Sequence, residues 1–207
     1  KGGDQQTTIS NGQLSCDAQN DFLLSSQNLR ISLRSHSLEA LVKLSTIDQA
    51  DAGVIALDSY YNTNDDYSHF QHNSITFNAI SNNKQWFISS EFFQRSAVPI
   101  TGPGLITETA STIQNFMHLV VTYNVSETED EAIVQLYRDG APYGDSFVTN
   151  TIMEINANGV FDDNRGYRAM FCQRHFEAGG QDLNGLIEYG AVYDYALSED
   201  EVSDLFN

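Results

Sequence analysis

The chain has 207 residues, 28 of them acidic and 10 basic, for a formal net charge of −18. That excess of carboxylates excludes a nucleic-acid reader built on Lys and Arg clusters. A hydrophobic share of 41%, with one Trp, ten Tyr and twelve Phe, supplies one sizeable core rather than a disordered acidic tail. The longest apolar stretches are pieces such as Leu119-Val120-Val121, far short of the ~20 residues of a membrane-spanning helix, so a soluble protein without membrane insertion is expected.

Residues 1–13, rich in Gly, Gln and Thr, read as a loose flexible lead into a single domain over 14–207. From there the pattern has period two. In Ser37–Leu44 the positions Leu38, Ala40, Val42 and Leu44 fall on one side and Glu39 and Lys43 on the other, which predicts a half-buried strand. Further strands are predicted at 21–25, 53–57, 74–80, 85–92, 116–123, 133–138, 167–172 and 185–193, most bounded by Gly, Asn, Asp or Pro. Trp86, alternating with Ile88, is expected in the core. Asp139-Gly140 predicts a tight hairpin, because both residues tolerate positive φ. Ser198-Glu199-Asp200-Glu201 predicts a capped C-terminal helix, flanked by Leu197 and Val202 as a staple. Short strands without intervening amphipathic helices favour two antiparallel sheets packed face to face.

Cys16 and Cys172 stand far apart and match no metal-ligand spacing. Two free buried thiols acting as small hydrophobes is the preferred reading, with one long-range disulfide as the alternative. The acid-rich, Lys-poor composition suits a secreted protein working near divalent cations or in salt water.

Several phrases carry a family resemblance. Leu14-Ser15-Cys16-Asp17 followed by Asp21-Phe22-Leu23-Leu24, then Ser37–Lys43, Phe116–Tyr123, Leu136-Tyr137-Arg138-Asp139-Gly140, and Gly185–Glu188 with Val192–Val202 stand in the order of a laminin G-like domain. Over residues 14–206 the chain resembles that branch of the concanavalin A-like lectin/glucanase superfamily. The resemblance implies an all-β, two-sheet jelly-roll sandwich, often a sugar-binding or adhesive accessory module of a larger, multidomain, extracellular or surface polypeptide, frequently with one structural calcium. By that resemblance the calcium would use the loop holding Asp17 and Asp21 together with Glu188, where relatives usually carry Asp.

Glycoside hydrolases of the same superfamily resemble one another in a Glu-x-Asp-x-x-Glu strand, which projects nucleophile and acid toward one glycosidic bond. No such segment occurs here. Gly144-Asp145-Ser146-Phe147 superficially resembles a lipase nucleophile block but lacks a following Asp-x-x-His. His69 and His72 have no partner at zinc-ligand spacing. Sugar recognition needs flat apolar faces for pyranose C–H patches with amides and carboxylates around them. Residues 58–70, read as one loop, supply both through Tyr60, Tyr61, Asn64, Asp65, Asp66 and Tyr67, with Arg174 and His175 beside a strand end as further candidates. Asn124-Val125-Ser126 is an N-glycosylation sequon, relevant in a eukaryotic secretory host. The expected function is a non-catalytic module binding a poly- or oligosaccharide. An adhesive or structural spacer is the alternative, and a hydrolase or lyase with an unrecognised site the third.

Overall fold

The computed structural model of the chain describes residues 8–17, 22–25, 29, 35–63, 66–78, 83–90, 96–98, 100–126, 131–150, 166–174 and 182–207. The described strands are β1 (Thr8–Ser10), β2 (Gln13–Asp17), β3 (Leu23–Leu24), β4 (His36–Leu44), β5 (Ala52–Thr63), β6 (Asp66–Phe77), β7 (Trp86–Ser90) and β8 (Ser96–Val98). They continue as β9 (Met117–Val125), β10 (Glu131–Arg138), β11 (Ala141–Pro142), β12 (Phe147–Asn150), β13 (Gly166–Phe171) and β14 (Asn184–Tyr193), closed by helix α1 (Glu199–Phe206).

Alternation builds the layers. On β4 the side chains of Leu38, Ala40, Val42 and Leu44 are buried, while Leu41 and Lys43 between them are half-buried. The inward rows of β4, β9, β10 and β14 meet those of β5, β6 and β7 in one core, where Trp86, Tyr123, Phe77 and Leu57 are among the fully buried side chains. Trp86 is core, as its alternation predicts. The first sheet runs β1-β2-β14-β4-β9-β10-β11, with β12 also pairing β10, and the second runs β3-β13-β5-β6-β7-β8. Every ladder between these strands is antiparallel. The fold is therefore the two-sheet jelly roll that the sequence predicts.

Two sequence expectations change. Cys16 and Cys172 are not free thiols: they form a disulfide between Cα atoms 5.6 Å apart, across a sequence separation of 156. Cys16 belongs to β2 of the first sheet and Cys172 follows β13 of the second, so the bond ties the two layers together. The second half of the presumed loose lead is a strand, since Thr8–Ser10 pairs with Gln13–Ser15 around an Asn11-Gly12 turn with φ of 53° and 79°. The segments around Leu14–Asp17 and Leu23-Leu24 are consecutive in the chain but go to different sheets.

The Asp139-Gly140 turn forms as predicted, with φ of 52° and 76°. So does the helix cap: the Glu201 backbone N–H donates to Ser198 Oγ at 3.3 Å and the Ser198 N–H donates to Glu201 Oε2 at 2.8 Å. Helix α1 lays Val202 and the preceding Leu197 onto Val120 and Tyr137 of the first sheet's outer face.

Candidate functional site

The segment carrying the tyrosines is not a loop. Residues 58–63 and 66–70 belong to the two longest strands, β5 and β6, twelve residues each, joined through 64–65. Register pairs Tyr60 with His69, Tyr61 with Ser68, Asn62 with Tyr67 and Thr63 with Asp66. Directly opposed residues share a face of an antiparallel ribbon and neighbours alternate. Tyr60, Asn62, Tyr67 and His69 thus hold positions on one face, and Tyr61, Thr63, Asp66 and Ser68 on the other. Four of the six nominated residues are thus divided between two faces, Tyr60 and Tyr67 on one and Tyr61 and Asp66 on the other, and Asn64 and Asp65 lie outside the described residues. Among the described residues β13 accompanies β5 only as far as Tyr60, and β7 accompanies β6 only over Ser74–Phe77. Among the described residues, positions 61–63 and 66–68 pair only with each other.

Arg174 is committed to structure. Its Nη1 donates to Asp51 Oδ2 at 2.8 Å, with both side chains largely buried. Beside it, Gln173 Nε2 donates to Asp182 Oδ1 at 2.7 Å, and both residues are buried. This backbone passes so near β5 that a Cβ on Gly53 would stand 2.2 Å from the Arg174 nitrogen, a space only glycine leaves open. His175 lies outside the described residues.

Two of the three nominated calcium ligands, Asp17 and Glu188, lie on described strands of the first sheet. Register pairs Asp17 with Asn184, so Glu188 sits four residues further along β14, next to the bulge between Ile187 and Tyr189. At ~3.4 Å per residue that separation exceeds what two carboxylates can bridge through one ion held at ~2.3–2.6 Å. Asp21 lies outside the described residues, and among those described no group of three or more His, Cys, Asp or Glu residues is placed to hold a metal.

Two polar networks escaped the sequence reading. On the outer face of the first sheet, His118 Nε2 and Glu39 Oε1 are 2.7 Å apart, and Tyr193 Oη donates to Glu39 Oε2 at 2.5 Å. Leu197, Val202 and Tyr193 cover this face together with Phe206, whose ring stacks on His118 at a centroid distance of 6.0 Å. Burial pushes the Tyr193 phenol far up, and its hydrogen bond to Glu39 adds to the rise. In the second network Glu108 Oε1 accepts from Trp86 Nε1 at 2.9 Å and Glu108 Oε2 accepts from Thr112 Oγ1 at 2.6 Å, with Arg138 Nε 3.0 Å from Oε1. Both oxygens of each carboxylate are taken by the protein's own donors. Neither Glu39 nor Glu108 is presented to a substrate as a glycosidase acid or nucleophile would be. The alternation of Glu39 and the His in Phe116-Met117-His118 marked their face of the sheet; their meeting across β4 and β9 required the register.

The side of the second sheet turned away from the core is covered as well. Ala56, Ser74, Phe87, Ser89 and Met170 occupy it, and none is more than 2% exposed.

With this geometry the comparisons agree. The sequence matches the Laminin_G_3 family of the concanavalin A-like lectin/glucanases superfamily over residues 17–203, and the chain belongs to that family. No curated protein sequence matches it significantly. Among solved structures it is similar to the native heptameric SAP-like pentraxin of Limulus polyphemus, at 15% identity and TM-score 0.55, over 90% of this chain and 75% of that one. It is similar to the binding domain of botulinum neurotoxin serotype D/C, at 14% identity and TM-score 0.58, over 99% of this chain and 46% of that one. Trypanosoma rangeli sialidase in complex with 2,3-difluorosialic acid matches at 14% identity and TM-score 0.50, over 84% of this chain and 23% of that one. What is shared at such identities is the fold, and the chain spans less than half of the toxin domain and less than a quarter of the sialidase.

Proposed function

We propose that the chain is a non-catalytic carbohydrate-binding module of a secreted or surface-attached, multidomain protein, and that it grips a poly- or oligosaccharide with the β5–β6 hairpin. The observation that carries this reading is the pairing of Tyr60 with His69 and Asn62 with Tyr67 on alternate rungs, and so on one face, of the β5–β6 ribbon. Two tyrosines, an amide and an imidazole on one face are the mixture that pyranose recognition needs: flat apolar surface beside hydrogen-bonding groups. Binding rather than hydrolysis is favoured by the engagement of Glu39 and Glu108 with internal donors. The interlayer disulfide favours an oxidising, extracytoplasmic setting, and no described helix is long and apolar enough to cross a membrane. Arg174 is left out of the gripping surface because Asp51 already holds it. The grip on this reading is carried by the ribbon's own rungs and is not routed through the nominated calcium residues Asp17 and Glu188, which lie on the first sheet.

A glycan array probed with the labelled full chain, run with calcium and again with chelator, tests the reading. The expected result is a family of related glycans bound equally in both conditions, with signal lost in Tyr60→Ala and Tyr67→Ala variants that remain folded. Silence across plant, marine and host glycans in both conditions overturns it and leaves the protein-binding spacer.

A further inference from the structure

The outer face of the first sheet carries an anomaly at its β12 edge. Ile133 is 50% exposed and Val148 61% exposed, and register places them directly opposite each other on β10 and β12. On its other side Ile133 is opposite Asn124 of β9. One rung of the sheet therefore reads Asn124, Ile133, Val148 across three neighbouring strands, with adjacent strands ~4.8 Å apart. Asn124 is the exposed position of β9, flanked in sequence by buried Tyr123 and Val125. It is also the acceptor of Asn124-Val125-Ser126, the chain's single Asn-x-Ser/Thr sequon.

We propose that Asn124 is an N-glycan acceptor and that the first sugars of the glycan lie along this rung, seating their C–H faces on Ile133 and Val148. An oligosaccharide rooted at Asn124 meets Ile133 one strand spacing away and Val148 two, which is the reach of its first residues. The two β-branched side chains are good strand formers, yet a polar residue at either position would leave the core untouched. Their exposure side by side on a solvent face is the feature the glycan accounts for. The acceptor lies just before the β9–β10 connection on the outer face of the first sheet, whereas the β5–β6 hairpin belongs to the second. The disulfide favours folding in an oxidising compartment, of which the eukaryotic secretory pathway, where N-glycans are added, is one.

The test is secretion of the full chain from a eukaryotic host, followed by intact mass before and after peptide N-glycosidase, and methyl NMR of the glycosylated protein. A single glycan released from position 124, which is recovered as aspartate, is expected, together with cross-peaks between N-acetylglucosamine protons and the Ile133 and Val148 methyls. Enzymatic removal of the glycan from the folded protein should abolish those cross-peaks and raise binding of a hydrophobic dye several-fold. The combined Ile133→Thr and Val148→Thr substitutions should suppress that rise without loss of folding. Folded, secreted protein with unmodified Asn124 overturns the acceptor assignment. A glycan at Asn124 that leaves both methyls untouched overturns the seating on the rung.

Discussion

Glu108 shows how a single side chain can govern a whole loop. It is 1% exposed and joins Trp86 and Tyr143's neighbourhood to Arg138, holding residues 106–112 onto the sandwich end. Removing it leaves the largely buried Arg138 guanidinium with Asp139 as its remaining ion-pair partner and the buried Trp86 Nε1 without its acceptor, so Glu108→Ala should cost about 3 kcal/mol in denaturant unfolding. A loss under 1 kcal/mol would contradict the pairing. Gly53 is equally constrained, because the Arg174 and Gln173 backbone occupies the space a methyl would need. Tyr143 supplies a pH signature. Burial is the main cause that pushes its phenol up to about 12, with the Glu108 charge adding and hydrogen bonds to Trp86 and Ile106 opposing. The folded state thus keeps it neutral above the ordinary value of 10.0. The stabilisation is complete below pH 10 and is lost as pH rises from there through about 12. Tyr123 and Tyr193 shift in the same direction. Phenolate absorbance should therefore lag behind that of exposed tyrosines and rise together with alkaline unfolding; full ionisation near pH 10 in the folded state would contradict it. At this scale little was legible in advance, since Glu39, His118 and Glu108 owe their partners to strands far apart in sequence.

Among the elements, helix α1 tests the cap most cleanly. Ser198 backbone and side-chain hydrogen bonds hold the Glu201 carboxyl below its usual range. The cap is thus intact above the ordinary carboxylate value and weakens as pH falls through the lowered one. Ser198→Ala should remove about 1 kcal/mol and lower Tm by about 2–4 °C in a chain of this length; an unchanged Tm would mean the helix is held by Val202 and Leu197 alone. The cap, the Asp139-Gly140 hairpin and the alternation in β4 were readable because each signal is complete within about eight residues. Asn11-Gly12 carried the same kind of turn signal, but the polar residues around it masked a strand that exists by pairing with β2. The β5–β6 hairpin reads as a loop in the sequence for a related reason. Tyr, Asn, Asp and Ser in 58–70 lack the apolar alternation of a half-buried strand, and it is the backbone pairing that defines the ribbon there.

For the molecule as a whole, the two layers are joined by a core and by one covalent tie. Cys16–Cys172 closes a loop across 156 positions, for which chain-entropy reasoning gives roughly 5 kcal/mol as an upper figure. The double Cys16→Ser, Cys172→Ser variant should lose a large part of that in equilibrium unfolding while keeping its β-sheet spectrum; unaltered stability would contradict the tie's role. Spacing alone could not reveal the bond, because only the packed sheets bring the two residues together. The fold class, by contrast, was legible from ordered phrases spread over the chain, and the match over residues 17–203 agrees with them. The nominated site was legible only in part: the tyrosines share a hairpin, Arg174 belongs to an ion pair, and Asp17 and Glu188 stand four residues apart on the ladder. The most direct test of the central claim is amide chemical-shift mapping of the full chain titrated with the best glycan from the array. The account predicts perturbations centred on residues 60–69, fading into the body of the second sheet. Shifts confined to the outer face of the first sheet, or to the Asp51–Arg174 region, would contradict it.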